Sequence, residues 1–304
     1  MANLCNIDGH ITSENDARVP VLDRGFLFGD SVYEVVRTHG GIPLLWREHW
    51  ERLNASARGL SMQLDLDEST IARRIAETVA AAEHGDSYVR LVVTRGTGDA
   101  PNIDLSYANS PPRWIVMVRP LALATGQPVR LSLVERLRND RRALDPATKS
   151  GNYLNNVLGL AEAKQGGATD CVMLNADGSV TEASTSNLFV RCNGAWCTPP
   201  LDAGILAGIT RRMLIEFLPT VGEVVQERRL TKDDLYACEE MFLSSTLRDI
   251  GPVTHLDGRA LHPEHPQAES AGASTALLIP AFGDYLAQRM RDQDEPRWRS
   301  LLGG

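Results

Sequence analysis

Five turn pairs built on glycine punctuate this sequence: Asp8-Gly9, Gly40-Gly41, Asp177-Gly178, Asn193-Gly194 and Asp257-Gly258. Such pairs accept positive φ at both central residues, which a two-residue hairpin turn needs if its twist is to match the strands it joins. A chain turned back this often is committed to antiparallel sheet. The first pair predicts a hairpin over residues 3–14. The second returns the strand-like run Val32–Thr38 into Ile42–Leu45. Further strand readings fall at Tyr88–Thr94, Trp114–Val118, Val129–Val134, Asp170–Leu174, Val180-Thr181, Leu188–Arg191, Glu223–Glu227 and Glu240–Leu243. Helical spacing marks Trp46–Ala57, Asp67–His84 with a stop at Gly85, residues 152–165, Gly208–Leu218 and Ala271–Arg291. Strands outnumber helices, so the expected class is α+β.

Leu121–Pro128 is small and uncharged and ends on Gly and Pro, so it reads as a connection between a first domain, 1–120, and a second, 129–304. Residues 95–112 form a stretch rich in Gly, Pro, Asp and Asn; so long a loop is expected to be functional or mobile.

The net charge of −8 over 304 residues makes a general nucleic-acid surface unexpected. No run of about 18 apolar residues suggests a membrane span, and the polar start Met1–His10 is unlike a signal peptide. The five cysteines are odd in number and lack CxxC spacing, which fits a reducing cytoplasm. Cys192 and Cys197 flank a turn, and His262 and His265 lie in a Pro-rich loop, so no metal site is expected.

Lysine is scarce: Lys149, Lys164 and Lys232 are the only three, leaving 31 − 3 = 28 arginines. Lys164 reads as the last turn of a helix and Lys232 as a polar helix start among acids, both solvated. Lys149 lies in Thr148-Lys149-Ser150-Gly151-Asn152-Tyr153, between a Pro-containing loop and an apolar helix. A confined lysine can serve as a nucleophilic amine; a surface lysine in a loop is the plain alternative.

Five other features bear on chemistry. Gly204–Arg212 carries a glycine before a helix start, so the backbone N–H groups of Ile209 and Thr210 could receive a phosphate, or simply begin a helix. Ser244-Ser245-Thr246 ends an apolar strand, as an anion site or a polar turn. Glu182 follows a hairpin turn, as a partner for a protonated ring nitrogen or as a solvated acid. Arg47 is either a phosphate ligand or a solvated residue paired with Glu51 four positions on. Asp23–Glu34 sets two glycines among aromatics, lining a pocket or packing a core. A lysine, a phosphate cradle, an arginine and an acid for a ring nitrogen are the parts of a pyridoxal phosphate (PLP) site.

With these residues in hand, the sequence resembles the class IV aminotransferases, the fold-type IV PLP enzymes, over roughly residues 3–256. The motifs that carry the resemblance are DRGFLFGDSVYE, WREHWERL, YVRLVVTRG, KSGNYLNN, TEASTSNLF, GILAGITRR and FLSSTLRDI, in that order. The resemblance implies a small N-terminal α/β domain, a larger C-terminal pseudo-barrel domain, PLP between them, and a homodimer or dimer of dimers. It makes Lys149 the Schiff-base lysine and proton shuttle, and Glu182 the partner of the pyridine nitrogen. Tyr153 becomes the tyrosine at the cofactor phenolate, and Leu206 the residue packed on a ring face. Arg47, Ile209, Thr210 and Thr246 become the phosphate ligands. The implied reaction is ping-pong transfer through a Lys149 aldimine, from an amino donor to a 2-oxo acid such as 2-oxoglutarate.

The substrate signatures are mixed. Tyr88-Val89-Arg90 resembles the carboxylate-binding pattern of branched-chain enzymes, whereas Val35 replaces their usual glycine and Leu247 their usual alanine. Val32–Val36, with Tyr33, is closer to D-amino acid enzymes, but the stretch Gly98–Asp104 lacks their Arg-x-His trap. Arg90 argues against a pure (R)-amine enzyme. Phe28, Tyr33, Val35, Tyr88, Arg90 and Leu247 are therefore the expected substrate pocket. Branched-chain-like transamination is the first expectation, D-amino acid or (R)-amine transamination the second, and 4-amino-4-deoxychorismate lyase chemistry a more distant one.

Overall fold

In the computed structural model, which describes residues 2–262, 270–291 and 295–302, each glycine turn makes the reversal its residues suit. β1 (Leu4–Ile7) and β2 (His10–Ser13) meet across Asp8 and Gly9, at φ 52° and 97°, with Ile7 opposite His10. Asp and Asn tolerate this left-handed backbone because a short polar side chain clashes least with it. His265 lies outside the described residues.

Two compact units emerge: Met1–Ala122 with Thr148–Tyr153 and Arg289–Gly304, and Leu123–Ala147 with Leu154–Gln288. The segment carrying Lys149 thus belongs with the N-terminal residues, so a single cut at 121–128 does not separate the units.

The first unit adds α1 (Arg24–Phe28), β3 (Ser31–His39), β4 (Ile42–Pro43), α2 (Trp46–Gly59), α3 (Glu68–Ala82), β5 (Ser87–Thr94) and β6 (Arg113–Pro120). Its six-stranded sheet runs β2-β1-β6-β5-β3-β4, antiparallel throughout. Leu53, Ile71, Ile75, Leu91 and Trp114 fill the core where α2 and α3 meet this sheet. Each aliphatic side chain so buried contributes about 1.5–3 kcal/mol.

Two local outcomes differ from the sequence reading. The Asp23–Gly29 stretch is a short helix as well as a turn: Asp23 accepts from Gly25 N at 2.9 Å, and Gly29 ends it at φ 67°. Helix α3 stops at Glu83, which itself takes the left-handed cap at φ 54°, before Gly85 is reached. Residues 95–112 are tied down: the buried Arg24 guanidinium donates to the carbonyls of Asn102, Ile103 and Asp104 at 2.7, 3.0 and 3.3 Å.

The second unit holds β7 (Val129–Leu133), α4 (Leu154–Gln165), β8 (Asp170–Leu174), β9 (Val180–Ala183), β10 (Asn187–Cys192), β11 (Ala195–Thr198), α5 (Ile209–Phe217), β12 (Val225–Glu227), α6 (Lys232–Ala237), β13 (Glu240–Ser244), β14 (Gly251–Leu256), β15 (Arg259–Ala260) and α7 (Ala273–Arg291). Its nine-stranded sheet runs β12-β11-β10-β13-β14-β7-β8-β9, with β15 on β14, and curls as a half-barrel. The expected α+β class is what the chain adopts. Antiparallel pairing places the start of β10 beside the end of β13, with Asn187 opposite Ser244. None of the described helices is long and apolar enough to cross a membrane.

Candidate active site

Within the first unit, Lys149 is clamped through its backbone. Its N–H donates to Ser56 Oγ at 3.0 Å and its carbonyl accepts from Tyr33 N at 3.0 Å. Gly151 N donates to Ser31 O at 2.8 Å, and a Cβ at Gly151 would collide with Ser31 Oγ. The half-buried side chain points at two aromatic rings. Nζ donates to the Tyr33 hydroxyl at 3.3 Å and lies 4.3 Å from the centroid of that ring and 5.9 Å from that of Tyr153. The two tyrosines pack edge to face at 5.6 Å. Burial pushes the Tyr33 hydroxyl above its ordinary pKa, so it stays protonated.

Of the expected pocket residues, Arg90 meets this tyrosine directly, and Val35 and Tyr88 lie on the same ladder. Val35 lies directly opposite Arg90 across β3 and β5, and Arg90 Cζ sits 4.0 Å from the centroid of the Tyr33 ring. Tyr88 lies opposite Arg37 on the same ladder. Phe28, at the end of α1, packs under Arg24 at 5.1 Å.

Helix α2 presents His49, Arg52 and Ser56 on one face, at the i, i+3, i+7 spacing of a helix stripe. Glu34, fully buried on β3, accepts there from Arg52 Nε and Nη2 at 2.8 and 2.7 Å and from His49 Nδ1 at 2.7 Å. Burial alone would raise the Glu34 pKa, but Arg52 and His49 outweigh it and hold it at about 2. Burial lowers that of His49. Ser56 of the same face receives the Lys149 N–H, which places this group beside the lysine.

Arg47 takes its other reading: its side chain is 88% exposed and bonds to Glu51 at 3.1 Å. The inward-facing arginine of α2 is Arg52, with a side chain 11% exposed. The stripe containing it was readable in the sequence; what a hydrophobicity pattern omits is that a helix face can bury His, Arg and Ser when a strand supplies a carboxylate.

Within the second unit, Glu182 is buried on β9 and held by four donors. Oε1 accepts from Arg138 Nε at 3.2 Å and Nη2 at 2.9 Å; Oε2 accepts from Asn187 Nδ2 at 3.1 Å and Leu206 N at 3.0 Å. Arg138 comes from the basic loop before Lys149 and also reaches Asn155 and Asn156, at 3.2 and 3.3 Å. Leu206 lies in the extended segment leading into α5. That helix begins at Ile209 behind Gly208, which offers no side-chain cap, so the N–H groups of Ile209 and Thr210 have no partner from it. Thr246 lies in the turn after β13, and the Leu247 carbonyl there accepts from Ala124 N at 2.8 Å. Nearby on the ladder, the buried Ser244 hydroxyl, like that of Ser186, lacks a hydrogen-bond partner among the described residues. A fixed carboxylate, an uncapped helix start and unanswered hydroxyls at one end of a sheet are what a pyridine ring with a phosphate arm requires.

The family amino-transferase class IV matches residues 31–256. The chain is a class IV aminotransferase. Over 256 residues the aminotransferase is 35% identical to a putative branched-chain-amino-acid aminotransferase of Methanocaldococcus jannaschii, covering 84% of this chain and 88% of that one. It is 30% identical to a D-alanine aminotransferase of Bacillus licheniformis, covering 89% and 94%. The crystal structure of the branched-chain aminotransferase of Thermoproteus uzoniensis with norvaline superposes with a TM-score of 0.81 at 28% identity, covering 99% and 95%. Aminotransferases of this class use PLP, and their substrates are amino acids and oxo acids.

Proposed function

We propose that this aminotransferase moves the amino group of a branched-chain amino acid to a 2-oxo acid such as 2-oxoglutarate, with Lys149 as the reacting amine. The observation that carries the choice of an amino acid over a simple amine is Arg90, whose guanidinium lies against the same ring whose hydroxyl meets Lys149 Nζ. A fixed cation one ring away from the amine suits a donor with a carboxylate. D-amino acids are the second reading, supported by Tyr33 and Val35 and by the D-alanine aminotransferase relative.

When bound, PLP supplies an aldehyde for amine exchange and a ring that takes up the electron pair left at the substrate α-carbon. The chain's own groups do the rest. Lys149 Nζ carries the cofactor and moves the proton from the α-carbon. Tyr33 steadies that amine, and Tyr153, whose ring lies near it, would hydrogen-bond the cofactor phenolate. Glu182, fixed through Oε1 by Arg138, would face the ring nitrogen and hold its proton. Leu206 would pack on the ring, and Ile209 N, Thr210 and Thr246 would hold the phosphate. Among the arginines of α2, the buried Arg52 replaces Arg47 as the one able to face an anion.

We also propose that the working form is a homodimer in the cytoplasm. In the second unit Leu154, Val157 and Leu158 of α4 are 68, 54 and 45% exposed and make an apolar face that a second copy would cover.

Mixing the PLP form separately with L-leucine, D-alanine, D-glutamate and (R)-1-phenylethylamine, and following loss of the cofactor's visible absorbance, tests the donor. L-leucine is expected to bleach it fastest. Rapid bleaching by D-substrates with none by L-leucine would replace the first reading with the second.

A further inference from the structure

We infer that Asn187 is a positioning residue for the cofactor's ring nitrogen, a role that rests on reading Glu182 as the acid facing that nitrogen. Asn187 opens β10 and is 5% exposed. Its amide nitrogen has two hydrogens, and both are used: Nδ2 donates to Glu182 Oε2 at 3.1 Å and to the Leu206 carbonyl at 3.0 Å. Leu206 N donates back to the same Oε2 at 3.0 Å. Glu182, Leu206 and Asn187 therefore close a ring of three hydrogen bonds, and a carboxylate oxygen so held has one orientation.

The other end of the amide acts on the helix start. A Cβ at Gly208 would collide with Asn187 Oδ1. Gly208 has φ −66°, a conformation open to any residue, so the backbone itself does not demand glycine there. The close approach of Asn187 does. One side chain thus touches the acid on β9, the segment carrying the ring-face leucine, and the N-cap of the helix proposed to hold the phosphate. These are separate elements of the second unit, and the distance between the acid and the helix start must match the span of a pyridine ring and its phosphate arm. Arg138 and Asn187 divide the work on Glu182: Arg138 neutralises Oε1, and Asn187 aims Oε2.

The division predicts a ligand-specific effect. Loss of Asn187 should weaken the grip on the ring nitrogen more than the grip on the rest of the cofactor. A competition on the holoenzyme reads this directly. The protein is exchanged against an equimolar mixture of PLP and 1-deaza-PLP, in which a carbon replaces the ring nitrogen. The bound ratio is then measured by mass spectrometry after borohydride reduction. A ratio is used because general damage to the fold weakens both ligands alike.

The intact protein is expected to favour PLP by about ten-fold, the worth of one charge-assisted hydrogen bond. In Asn187→Ala the preference is expected to fall to about two-fold or less. Gly208→Ala, which displaces the amide while leaving it in place chemically, should lower the ratio in the same direction, and decides the matter if Asn187→Ala does not fold. A ten-fold preference that survives both substitutions would overturn the role of Asn187 and leave Glu182 standing. An intact protein without preference would show that Glu182 does not face the nitrogen, and the inference would fall with that reading.

Discussion

The amine of Lys149 lies 3.3 Å from the hydroxyl of Tyr33, whose ring also receives the guanidinium of Arg90 at 4.0 Å. Burial keeps that hydroxyl protonated, so it serves the lysine as a neutral partner. Tyr33→Phe retains the ring and both cation contacts and removes one hydrogen bond, worth roughly 1 kcal/mol, or about a five-fold fall in kcat. The KM for the amino donor should move little, because Arg90 still has its ring. A kcat equal to that of the intact enzyme would remove Tyr33 from the reaction path.

Arg47 and Arg52 lie five positions apart on α2 and should behave oppositely. Arg47→Ala is expected to change stability by less than about 0.5 kcal/mol, since an exposed ion pair is worth little, and to leave PLP affinity unaltered. Arg52→Ala leaves the Glu34 carboxylate buried without its main partner and is expected to cost about 3–5 kcal/mol. Urea denaturation midpoints of the two apoproteins and PLP titration of each check the pair. A larger loss of PLP affinity in Arg47→Ala would return the phosphate to Arg47.

The same buried group predicts the acid limit of the fold. Glu34 is held at about 2 against an ordinary 4.5, and His49 lies below its ordinary 6.5. Both folded values are depressed, so the unfolded chain binds more protons and stability falls as the pH drops. The His49 contribution is complete above about pH 6.5 and erodes below it; that of Glu34 is complete above about 4.5 and is lost towards 2. Melting temperature should fall in these two stages between pH 7 and 3. In His49→Gln, which keeps a donor for Glu34 but cannot titrate, the first stage should vanish. A variant whose melting curve against pH matched that of the intact protein would show that His49 is not the group responsible.

Much of the sheet was legible because its turns are. Asp8-Gly9, Asn193-Gly194 and Asp257-Gly258 adopt the positive φ they announce. The helix stop was less legible: Glu83, not Gly85, caps α3, since a C-cap depends on where the chain must next go to pair as β5. Lys149 stood out by scarcity and by its small-residue surroundings. Arg138 and Asn187 did not, because nothing local marks an arginine in a basic loop or an asparagine at a strand start as the keepers of a buried acid.

The sequence alone determined the hairpins and the α+β class and singled out Lys149 by its scarcity, since each depends on backbone sterics within a few residues or on composition. Only the tertiary structure decided which arginine of α2 turns inward and where Glu34 finds its charge partners. It also decided that the segment holding Lys149 belongs with the N-terminal unit, although Arg138, eleven positions earlier, belongs with the other. Those outcomes rest on burial and on hydrogen bonds between residues far apart in the chain. Their energies exist only after the strands have paired and water has been excluded.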